Sequence, residues 1–180
     1  TLVVPDSVQM IGSSCLYGWS SLEELSIPFV GKQREISKSS SSTATSSYFN
    51  FGYIFGTSLY TNSYAYSQPY AQYTGVKGDD NYYYFGAGAS MPTSSYENNT
   101  YYLPKSLKKL SITDASILYY GSLIGCSYLE EVNLNDEILR IDAFSFSGCS
   151  KMHIFNFPTS LTAIGKYAFD GCSSLEEVIL

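Results

Sequence analysis

The chain has 180 residues, of which 44% are hydrophobic and only 14% charged, against roughly a quarter charged in an ordinary globular domain. Sixteen acidic residues against ten basic leave a net charge of −6, which argues against the basic footprint that a nucleic-acid binder needs. No apolar run approaches the ~18 residues of a membrane-spanning helix, and a single histidine among 18 tyrosines is a poor start for an enzyme.

From the N-terminus, LVVP (2–5) and LSIP (25–28) are the same pattern placed 23 residues apart. The second belongs to CLYGWSSLEELSIP (15–28), with Ile11 eight residues before Trp19. Its L-x-x-L-x-L core (Leu22, Leu25, Ile27) ends in the apolar-in, polar-out alternation of a short strand. Pro5 and Pro28 stop their strands, because proline cannot continue a hydrogen-bonded ladder. The stretch IGSSCLYG (11–18) has apolar residues three to five apart and no β-branched run. It predicts one short helical or irregular turn that returns the chain.

Residues 29–103 are unlike their surroundings. They include SKSSSSTATSS (37–47), a low-complexity tract that reads as a loop because it has no apolar area to bury. Between 48 and 102 lie 13 of the 18 tyrosines, four phenylalanines and only four charged residues. So apolar a segment predicts an inserted subdomain that packs on the rest of the chain through Phe49, Phe51, Ile54 and Phe55. Within it, GDDNYYYFG (78–86) is a turn signal. It lacks the alternating oxygen ligands and closing Glu of a calcium loop. The segment closes with YYLPKSLKKLSI (101–112), which re-enters the earlier pattern at Leu107.

The C-terminal part is periodic: SLIGCSYLEEVNL (122–134), SFSGCSKMHIFNF (145–157) and AFDGCSSLEEVIL (168–180) align without a gap. Gly125, Gly148 and Gly171 form one column, Leu129, Met152 and Leu175 another, and Leu118, Ile141 and Ile164 a third upstream. The middle apolar residue of the strand core recurs at Leu2, Leu25, Leu110, Val132, Phe155 and Val178, in steps of 23, 85, 22, 23 and 23. The one long step exceeds a repeat by 62 residues, the measure of the insertion. A single repeat cannot bury such columns alone, whereas stacked repeats bury them continuously. The expected product is a right-handed solenoid with a parallel strand ladder at ~4.8 Å spacing. Repeats occupy 1–28 and 104–180, and the Tyr/Ser-rich insertion occupies 29–103. Because the chain starts and stops inside a repeat and solenoids need polar caps, it reads as part of a longer array.

The columns C-x-x-L-x-x-L-x-L-P-x-x-L-x-x-I-G-x-x-A-F at period 23 resemble the BspA-like (treponemal-type) leucine-rich repeats, and IGKYAFDGCSSLEEVIL (164–180) is close to that consensus. The departures are Trp19 for Cys, Cys15 for a small Ala, and an irregular SITDASILYYGSLIGC (111–126). PFVGK (28–32) and FGYIFG (51–56) resemble a segment of gut-bacterial surface repeat proteins. The resemblance implies an α/β leucine-rich-repeat solenoid that is secreted or carried on the cell surface and linked to adhesion. It also implies that Cys126, Cys149 and Cys172 fill a buried column.

That cysteine column does not suit disulfides, since three members cannot pair evenly and side chains on adjacent rungs run parallel. No two cysteines have the close spacing of a zinc site. On the strand face the register aligns Glu23, Lys108, Glu130, His153 and Glu176 as a charge ladder, in which Lys108, Glu130 and His153 are candidate binding residues. No Ser or Cys is specifically placed by the repeat to give His153 a nucleophile, so no catalytic residue, metal or cofactor is predicted. For the insertion two readings stand side by side. The aromatic side chains form its own small core, or some of them form an exposed recognition face with large contact area at low entropic cost. Tyr53, Tyr82, Tyr83, Tyr84 and Phe85 are the candidates for the second, since three adjacent tyrosines cannot all point inward. The function expected is a non-enzymatic binding or adhesion module for a protein or glycan. The alternative is a passive spacer or display scaffold.

Overall fold

A computed structural model describes residues 1–34, 43–45, 50–70, 72–74, 76–77, 83–84 and 97–176. Its strands are β1 (Leu2–Val3), β2 (Glu24–Ile27), β3 (Thr43–Thr45), β4 (Ser63–Tyr70), β5 (Gln72–Thr74), β6 (Val76–Lys77) and β7 (Tyr83–Tyr84). They continue with β8 (Glu97–Pro104), β9 (Lys109–Ile112), β10 (Ile117–Leu118), β11 (Glu131–Leu134), β12 (Arg140–Ile141), β13 (Ile154–Phe155) and β14 (Ala163–Ile164). Five of them stack in the order β1-β2-β9-β11-β13, every pair parallel.

The register is the one that the apolar columns require. Leu2 lies opposite Leu25, Leu25 opposite Leu110, Leu110 opposite Val132, and Val132 opposite Phe155. Val178, the next member, lies outside the described residues. Leu25, Leu110, Val132 and Phe155 are buried, and each such side chain contributes roughly 1.5–3 kcal/mol of transfer free energy. The upstream column becomes a second parallel ladder, β10-β12-β14, in which Leu118 faces Ile141 and Ile141 faces Ile164.

The α-helical half of the expected α/β repeat is not found. Among the described residues there is no α-helix, and the one helical turn is the 3₁₀ segment Phe51–Ile54. The returning stretches are tight turns because each carries two left-handed backbone positions. The first falls at Ser14, Gly121, Phe144 and Tyr167 (φ 58–61°), the second four residues on at Gly18, Gly125, Gly148 and Gly171 (φ 71–79°). A left-handed residue cannot continue a right-handed helix, so the apolar spacing that allowed a helix is overruled by the turn. Cys126 and Cys149 are buried, Cys172 is half-buried and Cys15 exposed, all as free thiols. The column is more than filler, because the Cys149 and Cys172 thiols donate to the carbonyls of Leu123 (3.3 Å) and Phe146 (3.2 Å) in the preceding turn.

The insertion is threaded into the stack. Phe51, Ile54 and Phe55 are buried in the same core as the repeats, while Phe49 lies outside the described residues. The Ser14 and Leu16 amides donate to Tyr53 O (3.0 Å) and Ile54 O (2.8 Å), and the Phe51 amide donates to Ser122 O (3.0 Å). Residues 50–56 thus bridge the turns of two repeats. Beyond them β4 and β8 pair antiparallel from Ser63↔Pro104 to Tyr70↔Glu97, and short antiparallel pairs join β3 to β5 and β6 to β7.

Candidate binding face

The strand face carries its polar side chains in register. The Lys108 amide donates to Glu23 O (2.9 Å), Glu130 to Lys108 O (2.8 Å) and His153 to Glu130 O (3.0 Å). These bonds align the four residues rung by rung. One residue further along each strand, Glu24, Lys109, Glu131 and Ile154 form a second column. The middle rungs neutralise each other. Lys108 Nζ stands 2.7 Å from Glu130 Oε1, and Lys109 Nζ 2.7 Å from Glu131 Oε1. Hydrogen bonds from these lysines hold the Glu130 and Glu131 carboxyls below their ordinary range, and the bond to Glu131 raises the Lys109 ammonium.

A shallow trough of about 420 Å³ runs over these rungs, lined by Glu23, Glu24, Lys108, Lys109, Glu130 and His153 among others. An adjoining depression of about 550 Å³ continues it past Lys151, Ser173, Ser174 and Glu176. Two of the lining lysines stand over the ring of Tyr128. Lys151 Nζ lies 4.1 Å and Lys108 Nζ 5.5 Å from the centre of its ring, an attraction of cation to π-face. The ring of Tyr64, from β4, packs on Tyr128 at 4.6 Å between centroids. Burial pushes the Tyr64 hydroxyl pKa well up, so it stays a neutral phenol. The His153 ring places Nδ1 3.2 Å from Lys151 O.

Of the residues expected from the sequence, Lys108, Glu130 and His153 therefore stand together. Tyr53 does not join them: it is half-buried and packs on the core. Tyr83 and Tyr84 form β7, paired with Lys77 and Val76. Tyr82 and Phe85 lie outside the described residues. Tyr128, Lys151 and Tyr64 were missed. Tyr128 and Lys151 share a column one residue before Leu129 and Met152, a signal present in the repeat alignment, whereas nothing local points to Tyr64. Among the described residues, no group of three His, Cys, Asp or Glu could hold a metal ion, and no helix is long and apolar enough to cross a membrane.

Comparison with known families matches the BspA type leucine rich repeat region in six copies, over residues 1–68 and 94–180. The chain belongs to this family. A BspA-type solenoid is also similar to the crystal structure of a leucine-rich repeat protein from Bacteroides ovatus, with 23% identity and a TM-score of 0.44. That similarity covers 98% of this chain and 36% of the other protein. No curated protein matches the sequence.

Proposed function

We propose that this BspA-type array is a non-enzymatic binding module of a secreted or cell-surface bacterial protein, and that it adheres to a protein or glycan through its strand face. The supporting observation is the open trough, where polar columns held in register by backbone bonds leave side chains 26–40% exposed in the central ion pairs. Preset polar columns of this kind give specificity and register more than raw affinity. The aromatic insertion takes part at its near end, because Tyr64 packs on Tyr128, whose ring lies under Lys108 and Lys151.

The test uses immobilised extracellular-matrix proteins and a glycan array with three forms of the chain. The first is intact. The second carries Lys108→Glu with Glu130→Lys, which keeps an ion pair but inverts what a ligand meets. The third has residues 68–99 replaced by Asn-Gly, which removes Tyr82, Tyr83, Tyr84 and Phe85. Loss of at least tenfold in the inverted form alone supports the strand face. Loss in the shortened form alone moves recognition to the distal insertion and overturns the strand-face reading. If the intact chain binds neither class, the module is a spacer or display scaffold instead.

A further inference from the structure

Resting on that reading, the charge pattern of the trough narrows its ligand. The middle is self-neutral, since Lys108 and Lys109 are held by Glu130 and Glu131. The two ends are not. At the β2 end, the Glu23 carboxylate has no ion pair or hydrogen bond among the described residues, and Glu24 accepts only the Thr1 hydroxyl (2.9 Å) while lying near Lys109. At the β13 end, the exposed Lys151 ammonium sits over the Tyr128 ring, with no carboxylate within salt-bridge distance among the described residues. Glu130, nearby, is already engaged by Lys108, and Glu176, one repeat beyond His153 in the same column, lines the adjoining depression. The trough therefore presents negative charge at one end and positive charge at the other.

The spacing of these ends selects a polymer. From the Glu23 rung to the His153 rung are three steps of the ladder, about 14 Å at ~4.8 Å each. An extended peptide advances ~3.4 Å per residue and returns to the same face at every second residue. Residues i and i+4 of an extended strand therefore span about 14 Å and point the same way.

We propose that the trough accepts an extended segment of a partner protein bearing a basic and an acidic residue four positions apart. The basic side chain meets Glu23 and Glu24, the acidic one meets Lys151, and the residues between cross the neutral middle beside Tyr128. Either chain direction satisfies both ends, so spacing and sign are selected and polarity is not.

The test measures fluorescence anisotropy of end-capped nonapeptides in a Ser/Thr/Val background at low salt. One peptide has Arg and Glu at i and i+4, a second has them at i and i+3, and a third has Gln at both places. Two exposed charge pairs make the first bind about fivefold tighter than the others, an advantage that disappears in high salt. Lys151→Gln and the pair Glu23→Gln, Glu24→Gln each remove most of that preference. These exposed substitutions leave the fold intact, as circular dichroism will confirm. With Glu23→Lys and Glu24→Lys, a peptide carrying Glu at both places becomes the better ligand. Affinities within twofold for all three peptides, or a preference that survives the charge substitutions, overturn the proposal. If the peptides fail while inversion of Lys108 and Glu130 still abolishes binding to a matrix protein or glycan, this inference falls and the strand-face reading stands. If both experiments show no effect, both fall.

Discussion

Among the described residues, Asp142 is the one carboxylate that the fold buries deeply, 1% exposed beside Arg140 at 8%. The Arg140 guanidinium grips it through Nε to Oδ1 and Nη2 to Oδ2. Burial nevertheless outweighs that grip, and the carboxyl pKa rises to about 6. The folded chain thus holds a proton that the unfolded chain, titrating near 3.8, has already released. This group's contribution is fully present below about pH 4 and is lost as pH climbs through 6. A rise of roughly two units corresponds to about 3 kcal/mol. Asp142→Asn cannot titrate, so its urea midpoint should lack this fall between pH 4 and 6. At pH 7 the same substitution should cost little, because, like protonation, it removes a buried anion whose desolvation outweighs the attraction of Arg140. The check is a pair of urea titrations across that pH range. A parallel decline in both proteins would show that another group carries it.

At the scale of the element, the repeat turn explains which parts of the fold were legible. Strand register could be counted directly, since columns such as Leu25, Leu110 and Val132 are apolar wherever the ladder needs them buried. The turn could not be read as a turn, because its first left-handed position is filled by Ser14, Phe144 and Tyr167, residues that do not announce positive φ. For the site the division is similar. Lys108, Glu130 and His153 share a column that the period dictates, whereas the contact of Tyr64 with Tyr128 depends on where a hairpin outside the period folds back. A repeat also hides where it is tight. Gly12 and Gly165 occupy equivalent Ile-Gly pairs, yet a Cβ at Gly12 meets nothing within 4 Å, while one at Gly165 would stand 2.3 Å from Ala143 N. Backbone cannot yield as a side-chain tip can. Gly165→Ala should therefore cost about 2–3 kcal/mol or more, and Gly12→Ala well under 1 kcal/mol. Because a solenoid communicates chiefly through neighbouring repeats, hydrogen exchange should accelerate at β12 and β14 while β1 and β2 stay protected. Equal costs for the two substitutions would contradict the close approach.

For the whole molecule, the question is how an array survives 62 extra residues in one repeat. The stack is continuous across the insertion, since β2 pairs directly with β9 over four residues. The return turn is continuous too, because residues 50–56 supply the carbonyls that Ser14 and Leu16 need and bury Phe51, Ile54 and Phe55. Part of the inserted sequence is therefore a working piece of the solenoid, and the rest is carried on the β4–β8 ladder. Two deletions separate these roles. Replacing residues 68–99 by Asn-Gly joins Ser67 to Thr100, which already face each other, through a turn suited to an antiparallel pair. That chain should unfold cooperatively with a melting temperature within a few degrees of the intact one. Replacing all of 29–103 by a short turn removes the buried side chains of Phe29, Val30, Phe51, Ile54, Phe55, Tyr101 and Leu103. At ~2–5 kcal/mol each, their loss rivals the 5–15 kcal/mol that holds a typical domain together. That chain should lose its cooperative transition and bind a dye that reports exposed apolar surface. Calorimetry on the two chains decides the point. A cooperative transition in the longer deletion would mean that the repeats close on each other without the inserted turn, and that residues 50–56 are cargo as well.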